Sequence, residues 1–544
     1  MSSISGALHL DRAISPTVIG AIAATCIAGF LVSRLYLHPL SKFGGPRLAA
    51  LTRWYEFYHD VIRGGTYVKV FPELHRKHGM ALCFFCEQIL HLTDLKDLLC
   101  VFHLTMFMST IRSFIKISLE LISGRVFKSP TEYYKAPYFY QNVGISESLV
   151  AILNPHKHRV RRAMISPLFS KNAMDKIMPL VQDIVEHAAD ILRKRYREGK
   201  STDIQKLYRC ITVDTISTAC FGYTQDLTSQ DENDIYPPLL ASIDSFTNNI
   251  WLMNHLTFLG TIALSLPERL SEKIVPGYQS FRNVSLAILV RQCEKWIKTV
   301  KARRDNGILQ TEDGRDTVFD LLLESNDRKG YQVADMSELI DEAFLLLIAG
   351  SDTTAYSLSC ATYYILNHRD VLLKLKAELA TVPRHVDGRL DCRNIQSLPY
   401  LTCVVKESLR LATPVPGISP RVVPPQGATV QGQFIPGGSI VSISGRTIHD
   451  NPDLFPEPEK FKPERWLGDQ GKELERWNVT FSKGPRMCIG INLAYMEIYM
   501  ILATFFADFD LSLHETDAKS MEWLDHAVAT NNSNVKVRAS PLRV

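Results

Sequence analysis

Long blocks of lysine or arginine are missing from this 544-residue chain; its densest basic cluster, "HKHRVRR" at 156–162, is short, and the formal net charge is only +4. No nucleic-acid partner is expected, because phosphate recognition draws on extended positive surface. Regular cysteine spacing is missing too. The eleven cysteines are odd in number and scattered, which excludes a disulfide framework and points to a reducing compartment. The one C-x-x-C, Cys83 to Cys86, has aromatic and aliphatic neighbours and no second pair downstream, so neither a zinc site nor a redox motif is read there. No G-x-G-x-x-G occurs, so no dinucleotide site of that kind is built in, and without G-x-S-x-G or H-E-x-x-H a hydrolase has little support. Internal repeats and low-complexity linkers are also lacking, which favours one large domain over several small ones.

What is present starts with an uncharged run of 19 residues, Ile14 to Val32, long enough for a helix to cross a bilayer. It exceeds the apolar part of a secretory signal. Arg34, Lys42 and Arg47 follow it against Arg12 before it, so a retained anchor with the bulk of the chain in the cytosol is expected. On that topology the sequon at Asn478 carries no glycan. The expected division is a short luminal N-terminus (1–13), an anchor (14–33), a hinge (34–46) with Pro39, Gly44, Gly45 and Pro46, and a single domain (47–544).

Helix-like spacing marks 171–198 and 273–304, whereas "GATVQGQFIPGGSIVSIS" reads as hairpin strands, so the fold class is mainly α with small β-sheets. Residues 336–366 look at first like a second membrane span, but Glu338, Asp341, Glu342 and Asp352 interrupt them, and a long core helix is expected instead. Asp352 becomes a candidate site residue, since an acid deep in such a helix is costly unless paired or used.

The stretch "FSKGPRMCIG", residues 481–490, sets Cys488 two positions after Arg486 and between Gly484 and Gly490. Glycines allow unusual dihedrals and close approach, the Arg486 fork suits a carboxylate, and Phe481 can cover the sulfur and limit water. The following "INLAYMEIYMILATFF" is helical in composition, placing Cys488 just before a helix N-terminus, where a thiolate is favoured. This suits a haem with iron on Cys488 and propionates near Arg486. A lone cysteine would instead be a small core residue in an ordinary turn.

The ten-residue pattern F-x-x-G-x-R-x-C-x-G resembles, at every fixed position, the haem-ligand loop of the cytochrome P450 superfamily. Three further segments resemble that family in its order. "KESLR" holds Glu407 and Arg410 on one helix face, and with Arg465 of "PERW" the resemblance implies a buried Glu-Arg-Arg network. "AGSDTT", Ala349 to Thr354, resembles the oxygen-binding segment, implying that Asp352 and Thr353 relay protons, with Gly350 making space and the Thr353 hydroxyl opening the helical ladder. "HKHRVRRAMISPLFS" is similar to the helix that touches a haem propionate, implying that role for His158 and Arg162, and Arg421 of "SPRVVP" is a further propionate candidate.

The resemblance implies a triangular prism of helices around haem b, preceded by one transmembrane helix in the endoplasmic reticulum membrane. It implies insertion of one oxygen atom into a lipophilic small molecule, with electrons from NADPH through the flavins of cytochrome P450 reductase, cytochrome b5 as a possible second donor, and a reductase-docking face that includes "HRVRR". The "RTIHDNPDLFPEPEKFKPERW" run looks closest to fungal secondary-metabolism members such as trichodiene oxygenase-like enzymes, and a terpenoid substrate is expected. The apolar run 242–267 stands where the family builds its lid; it would line a pocket, dip into membrane lipid or simply pack in the core. Between Met80 and Gly124 the resemblance breaks into a run of Leu, Phe and Cys, which a divergent substrate cap or a gene-model artefact would produce. Two alternatives stay open: a haem-thiolate isomerase or dehydratase that does not use dioxygen, and a catalytically impaired haem-binding protein.

Overall fold

In the computed structural model, which describes residues 16–37, 45–78, 133–142, 144–232, 236–256, 286–430 and 433–542, helices carry most of the chain and the strands are short. The expected class, mainly α with small sheets, is what forms. The 80–124 stretch with Cys83 and Cys86, part of the hinge, and residues 257–267 of the apolar run lie outside the described residues.

The first helix, α1 (Pro16–Val32), falls on the uncharged N-terminal run. An 18-residue window, Gly20–Leu37, is apolar enough to cross a membrane and none of it is buried. Beyond the hinge, α2 (Trp54–Phe57) passes directly into a π-helical turn (Tyr58–Ile62).

The frame begins with α3 (Pro155–Ile165), α4 (Lys171–Arg197), α5 (Ile204–Phe221), α6 (Pro238–His255), α7 (Ala287–Asp305) and α8 (Met336–Asn367). Side-chain caps start three of them: at α3 Asn154 accepts from His156 and Lys157 N–H, at α4 Ser170 from Ala173 N–H, and at α8 Asp335 from Glu338 N–H. The long helix expected at 336–366 is α8, and α5, α7, α9 (Pro399–Ala412) and α10 (Ile491–Asp508) pack on it. α10 is apolar enough to span a bilayer by composition, yet two-thirds of it is buried, so it is a core helix.

Two three-stranded antiparallel sheets sit at the edges. One orders Tyr134–Lys135, Arg421–Val422 and Ile440–Val441, with Lys135 opposite Arg421; the other orders Thr202–Asp203, Lys536–Pro541 and Phe509–Leu513. The expected hairpin at 427–444 forms as Ala428–Val430 against Gln433–Ile435.

Candidate active site

The Cys488 loop is built by its own backbone. Gly484 takes φ +76° and opens a 3₁₀ turn (Gly484–Arg486), Met487 N–H closes it on Gly484 C=O at 3.0 Å, and Cys488 N–H donates to Phe481 C=O at 2.9 Å. Gly490 behaves differently: its φ is −84°, which any residue adopts, so the unusual dihedral expected of both glycines is needed only at Gly484. A Cβ on Gly490 would meet Cys488 Sγ at 3.9 Å, so a side chain there would cover the sulfur. The Phe481 ring stacks obliquely on Tyr495 of α10 at 5.1 Å between centroids.

Eight cysteines are described; six are buried, Cys26 lies in α1, and Cys488 is the one exposed thiol of the folded domain among the described residues. Surrounding protein still pushes the Cys488 thiol up, while Gly490 N–H and the Arg162 guanidinium pull it down. A backbone N–H and a guanidinium beside an exposed thiol are suited to a metal-bound thiolate.

Around this loop positive groups gather. Arg162 Nη1 donates to Met487 C=O at 2.8 Å, and Arg486 donates to the Ile152 and Leu153 carbonyls at 2.9 and 3.4 Å. Buried Arg421 donates to the Tyr140 hydroxyl at 2.7 Å, and buried Lys135 donates to Val150 C=O with its ammonium 4.2 Å from the centre of the Tyr140 ring. Lys135 and Arg421 face each other in strand register, an arrangement of like charges that is unfavourable by itself. Burial, then Arg421 and Arg486, hold the Lys135 amine well below its ordinary range. Arg486 is drawn down to about 10 by burial, with Arg421 and Arg162 adding to it. Buried His158 falls to about 3 through burial and then Arg486, Lys135 and Arg162, so it is neutral. Among the described residues Lys135, Arg162 and Arg486 have no carboxylate partner. A dianionic group between them would relieve all of these shifts at once.

The expected Glu-Arg-Arg network forms behind the loop. Glu407 accepts from Arg410 Nε at 2.9 Å and Nη2 at 2.8 Å, from Arg465 Nε at 2.9 Å, from Trp466 Nε1 at 2.9 Å and from Lys462 N–H at 3.1 Å. Arg410 also donates to His449 C=O at 2.8 Å, and buried His449, held down to about 3 by burial, accepts from Val479 N–H at 3.1 Å. Through Val479 the network reaches the chain entering the Cys488 loop.

On α8 the outcome is mixed. The helix runs unbroken from Met336 to Asn367, and Thr353 Oγ1 donates to Ala349 C=O at 2.9 Å, so the opened ladder expected at Thr353 does not form. The space made by Gly350 is filled: a Cβ there would come within 2.6 Å of Ile216 on α5, so the glycine permits a close helix crossing. Asp352 is paired. Arg209 of α5 donates to it through Nε at 2.9 Å and Nη2 at 3.4 Å, and Arg209 Nη1 lies 2.7 Å from Asp244 of α6, which Tyr236 also engages. Burial raises the Asp352 carboxyl, against the pull of Arg209.

The docking face expected at "HRVRR" is largely turned inward. His158 and Arg161 are buried, Arg162 serves the Cys488 loop, and Arg161 pairs with Glu338 and Glu342 of α8 at 2.5 and 3.1 Å, leaving Arg159 exposed. Sequence reasoning missed Lys135, Arg209, Tyr140 and Trp466. Only Trp466, the last letter of "PERW", lay inside a quoted motif; the others are brought in by strand register and helix crossing.

The cytochrome P450 family model matches residues 104–539. The cytochrome P450 monooxygenase aneF of Aspergillus aculeatus is 38% identical over 521 residues, covering 96% of this chain and 98% of that protein. The cytochrome P450 monooxygenase BOT1 of Botryotinia fuckeliana is 37% identical over 513 residues, covering 94% and 93%. The solved structure of retinoic acid bound cyanobacterial CYP120A1 shares the fold, with a TM-score of 0.67 at 20% identity over 89% of this chain and 96% of that one. An exposed thiol in a loop matching the family pattern, with a cluster of cations around it, belongs to a sequence aligned over almost its whole length with named monooxygenases, and the chain is therefore a member of the cytochrome P450 family, a haem-thiolate enzyme that incorporates oxygen from dioxygen into its substrate.

Proposed function

We propose that Cys488 would supply the thiolate ligand of a haem and that Lys135, Arg162, Arg421 and Arg486 would receive its carboxylates, with neutral His158 beside them. The observation that carries this reading is the charge imbalance beside the exposed thiol: Lys135 opposite Arg421 in register, and Arg486 and Arg162 donating only to carbonyls. Haem bound there supplies a thiolate-ligated iron whose electron-rich sulfur favours O–O cleavage. Gly490 N–H and Arg162 hold the negative charge on Sγ, and Phe481 with Tyr495 limits water on the side toward α10. Asp352 and Thr353 hold and pass protons from α8: the Thr353 hydroxyl is already oriented by Ala349 C=O, and Asp352 is tied through Arg209 to Asp244 near the surface.

The substrate on this reading is a lipophilic fungal metabolite of the terpenoid class. NADPH supplies electrons through a flavoprotein reductase, and α1 anchors the chain in the endoplasmic reticulum membrane with the catalytic domain in the cytosol. An exposed, uncharged α1 supports the anchor. The test of the ligand is Cys488→Ala: the reduced carbon monoxide spectrum should lose its thiolate signature, and a variant that kept it would overturn the assignment. For the substrate, full-length protein with reductase and NADPH is offered terpene, polyketide and alkaloid panels. Oxidation of a terpene is expected, and turnover confined to the other classes would end the terpenoid reading.

A further inference from the structure

One short helix is used on two sides. In α3, Lys157 and Arg161 stand one turn apart and share a face, while His158 and Arg162, each one position on, share the next face about 100° round. The first pair meets α8: Lys157 Nζ lies 2.6 Å from Glu338, Arg161 Nη2 lies 2.5 Å from Glu338, and Arg161 Nη1 lies 3.1 Å from Glu342. On the second face Arg162 donates to Met487 C=O at 2.8 Å, beside Cys488.

The strap at 147–153 is strung between the same two places. Its N–H groups donate to α8, Glu147 to Asp341 Oδ2 and Leu149 to Glu342 Oε2, each at 3.0 Å. Its carbonyls accept from cations beside the thiol loop: Val150 from Lys135, and Ile152 and Leu153 from Arg486. Lys157 reaches Glu147 at 2.7 Å and so ties α3 to the strap as well. Both routes begin on one atom. Glu342 Oε2 receives Arg161 and Leu149 N–H together; the first route runs through Arg162 to Met487 and the second through the strap to Arg486, the two residues directly before Cys488. Glu342 is wholly buried, where a carboxyl is costly unless donors meet it, and the two donors that do are the heads of the two routes.

We infer that Glu342 is a positioning residue for the Cys488 thiolate: as the shared acceptor of Arg161 and Leu149 N–H it fixes α3 and the strap to α8, and so sets the positions of Met487, through Arg162, and of Arg486. This rests on Cys488 being the thiolate ligand of a haem. Groups that orient a ligand from beyond its own contacts decide how firmly the metal is held and how much charge the ligand keeps. Arg161 shares that task from inside the core, one residue before the arginine that touches the loop.

Full-length holoenzyme is reduced under carbon monoxide. A wild-type spectrum without the thiolate band would sink the ligand assignment and this inference together. With the band present, the rate at which it gives way to the blue-shifted, thiolate-free form is followed at a fixed interval below each protein's unfolding temperature. Arg161→Met and Glu342→Leu should lose the band on the order of tenfold faster than wild type, and Glu342→Gln, which keeps an acceptor for Arg161 and Leu149 N–H, should stay within about twofold of it. Val537→Ala, buried in the far sheet, should lower the unfolding temperature and leave the rate alone. If Glu342→Leu does not load haem, Glu342→Asp replaces it with the same expectation, because its carboxyl is one methylene short of both donors. Wild-type rates in Arg161→Met and in the leucine or aspartate variant overturn the inference, as does equal acceleration by Val537→Ala or by Glu342→Gln. Amide exchange gives a second reading: it should rise at 149–153 and at 486–488 in the leucine or aspartate variant, and unchanged exchange at 486–488 overturns the transmission to Cys488.

Discussion

Glu407 and Glu497 are the same residue type at the same depth, each almost wholly inaccessible, and their surroundings are opposite. Every atom that meets the Glu407 carboxylate is a donor, from Arg410, Arg465, Trp466 and Lys462 N–H. Among the described residues Glu497, on α10 between α5 and α8, meets no cation and no N–H, and only the Thr215 and Thr354 hydroxyls face it. Burial pushes the Glu497 carboxyl well above its ordinary range, whereas Glu407 is ion-paired with Arg410 and Arg465. Depth alone thus does not decide the charge of a buried acid; the supply of donors does. Two other acids of α8 lie between these extremes. Glu342 has one oxygen on Arg161 Nη1 and Leu149 N–H and the other without a partner among the described residues, and Asp352 shares Arg209 with Asp244.

The largest effect is expected where the donors are most complete. Glu407→Ala leaves Arg410 buried without its counter-ion and Arg465 and Trp466 without their acceptor, a loss of roughly 3–5 kcal/mol. Thermal unfolding and the yield of haem-loaded protein measure it. A loss under about 1 kcal/mol would mean that the satisfied network contributes no more than an unsatisfied acid, and the contrast would collapse.

Next comes Glu342, whose carboxyl is pushed up to about 7, by burial first and against the pull of Arg161. The native state then holds a proton that the unfolded chain releases near its ordinary carboxyl value. Stability from this group is complete below that value and is lost as pH rises through about 7. Relative to Glu342→Gln, wild-type protein should lose on the order of 3 kcal/mol between acidic and neutral pH, measured by denaturant melts at several pH values. Parallel curves for the two proteins would mean that Arg161 outweighs burial at Glu342 and that its carboxyl is not raised.

How far this was legible in the chain follows the range of the interactions. The Cys488 turn is local, and its glycine, arginine and thiol spacing, with a helix starting at Ile491, could be read directly. Glu407 and Arg410 stand three apart on α9, and their pairing follows from helix geometry. Arg465, 58 residues from Glu407, came only through family resemblance. Lys135 meets Arg421 through strand register, and Arg209 meets Asp352 across 143 residues because α5 crosses α8 at Gly350; neither approach leaves a local pattern. The long α8 was legible because four acids break an otherwise membrane-like run, but the partner of each acid was not.

Asp352 should show a smaller change, in activity instead of stability. Asp352→Asn keeps a polar group for Arg209 but cannot carry a proton as a carboxyl does. Product formation should fall on the order of tenfold to a hundredfold, with NADPH consumption diverted to peroxide and haem loading retained. Unchanged coupling of NADPH to product would reduce Asp352 to a structural partner of Arg209, like the arginine-bound Glu407.

The smallest effect is expected at Glu497. Burial favours the uncharged acid at Glu497, and among the described residues no charged donor meets it, so Glu497→Gln preserves size and polarity and the change in unfolding free energy should stay within about 1 kcal/mol. The same substitution at Glu407 removes an anion from between two arginines and should cost several times more. Comparing the two glutamine variants by denaturant unfolding isolates charge from shape, since both sites are equally buried and both replacements are isosteric. Equal losses would show that Glu497 is ionised despite its surroundings; a large loss at Glu407 beside a small one at Glu497 assigns the difference to the donors.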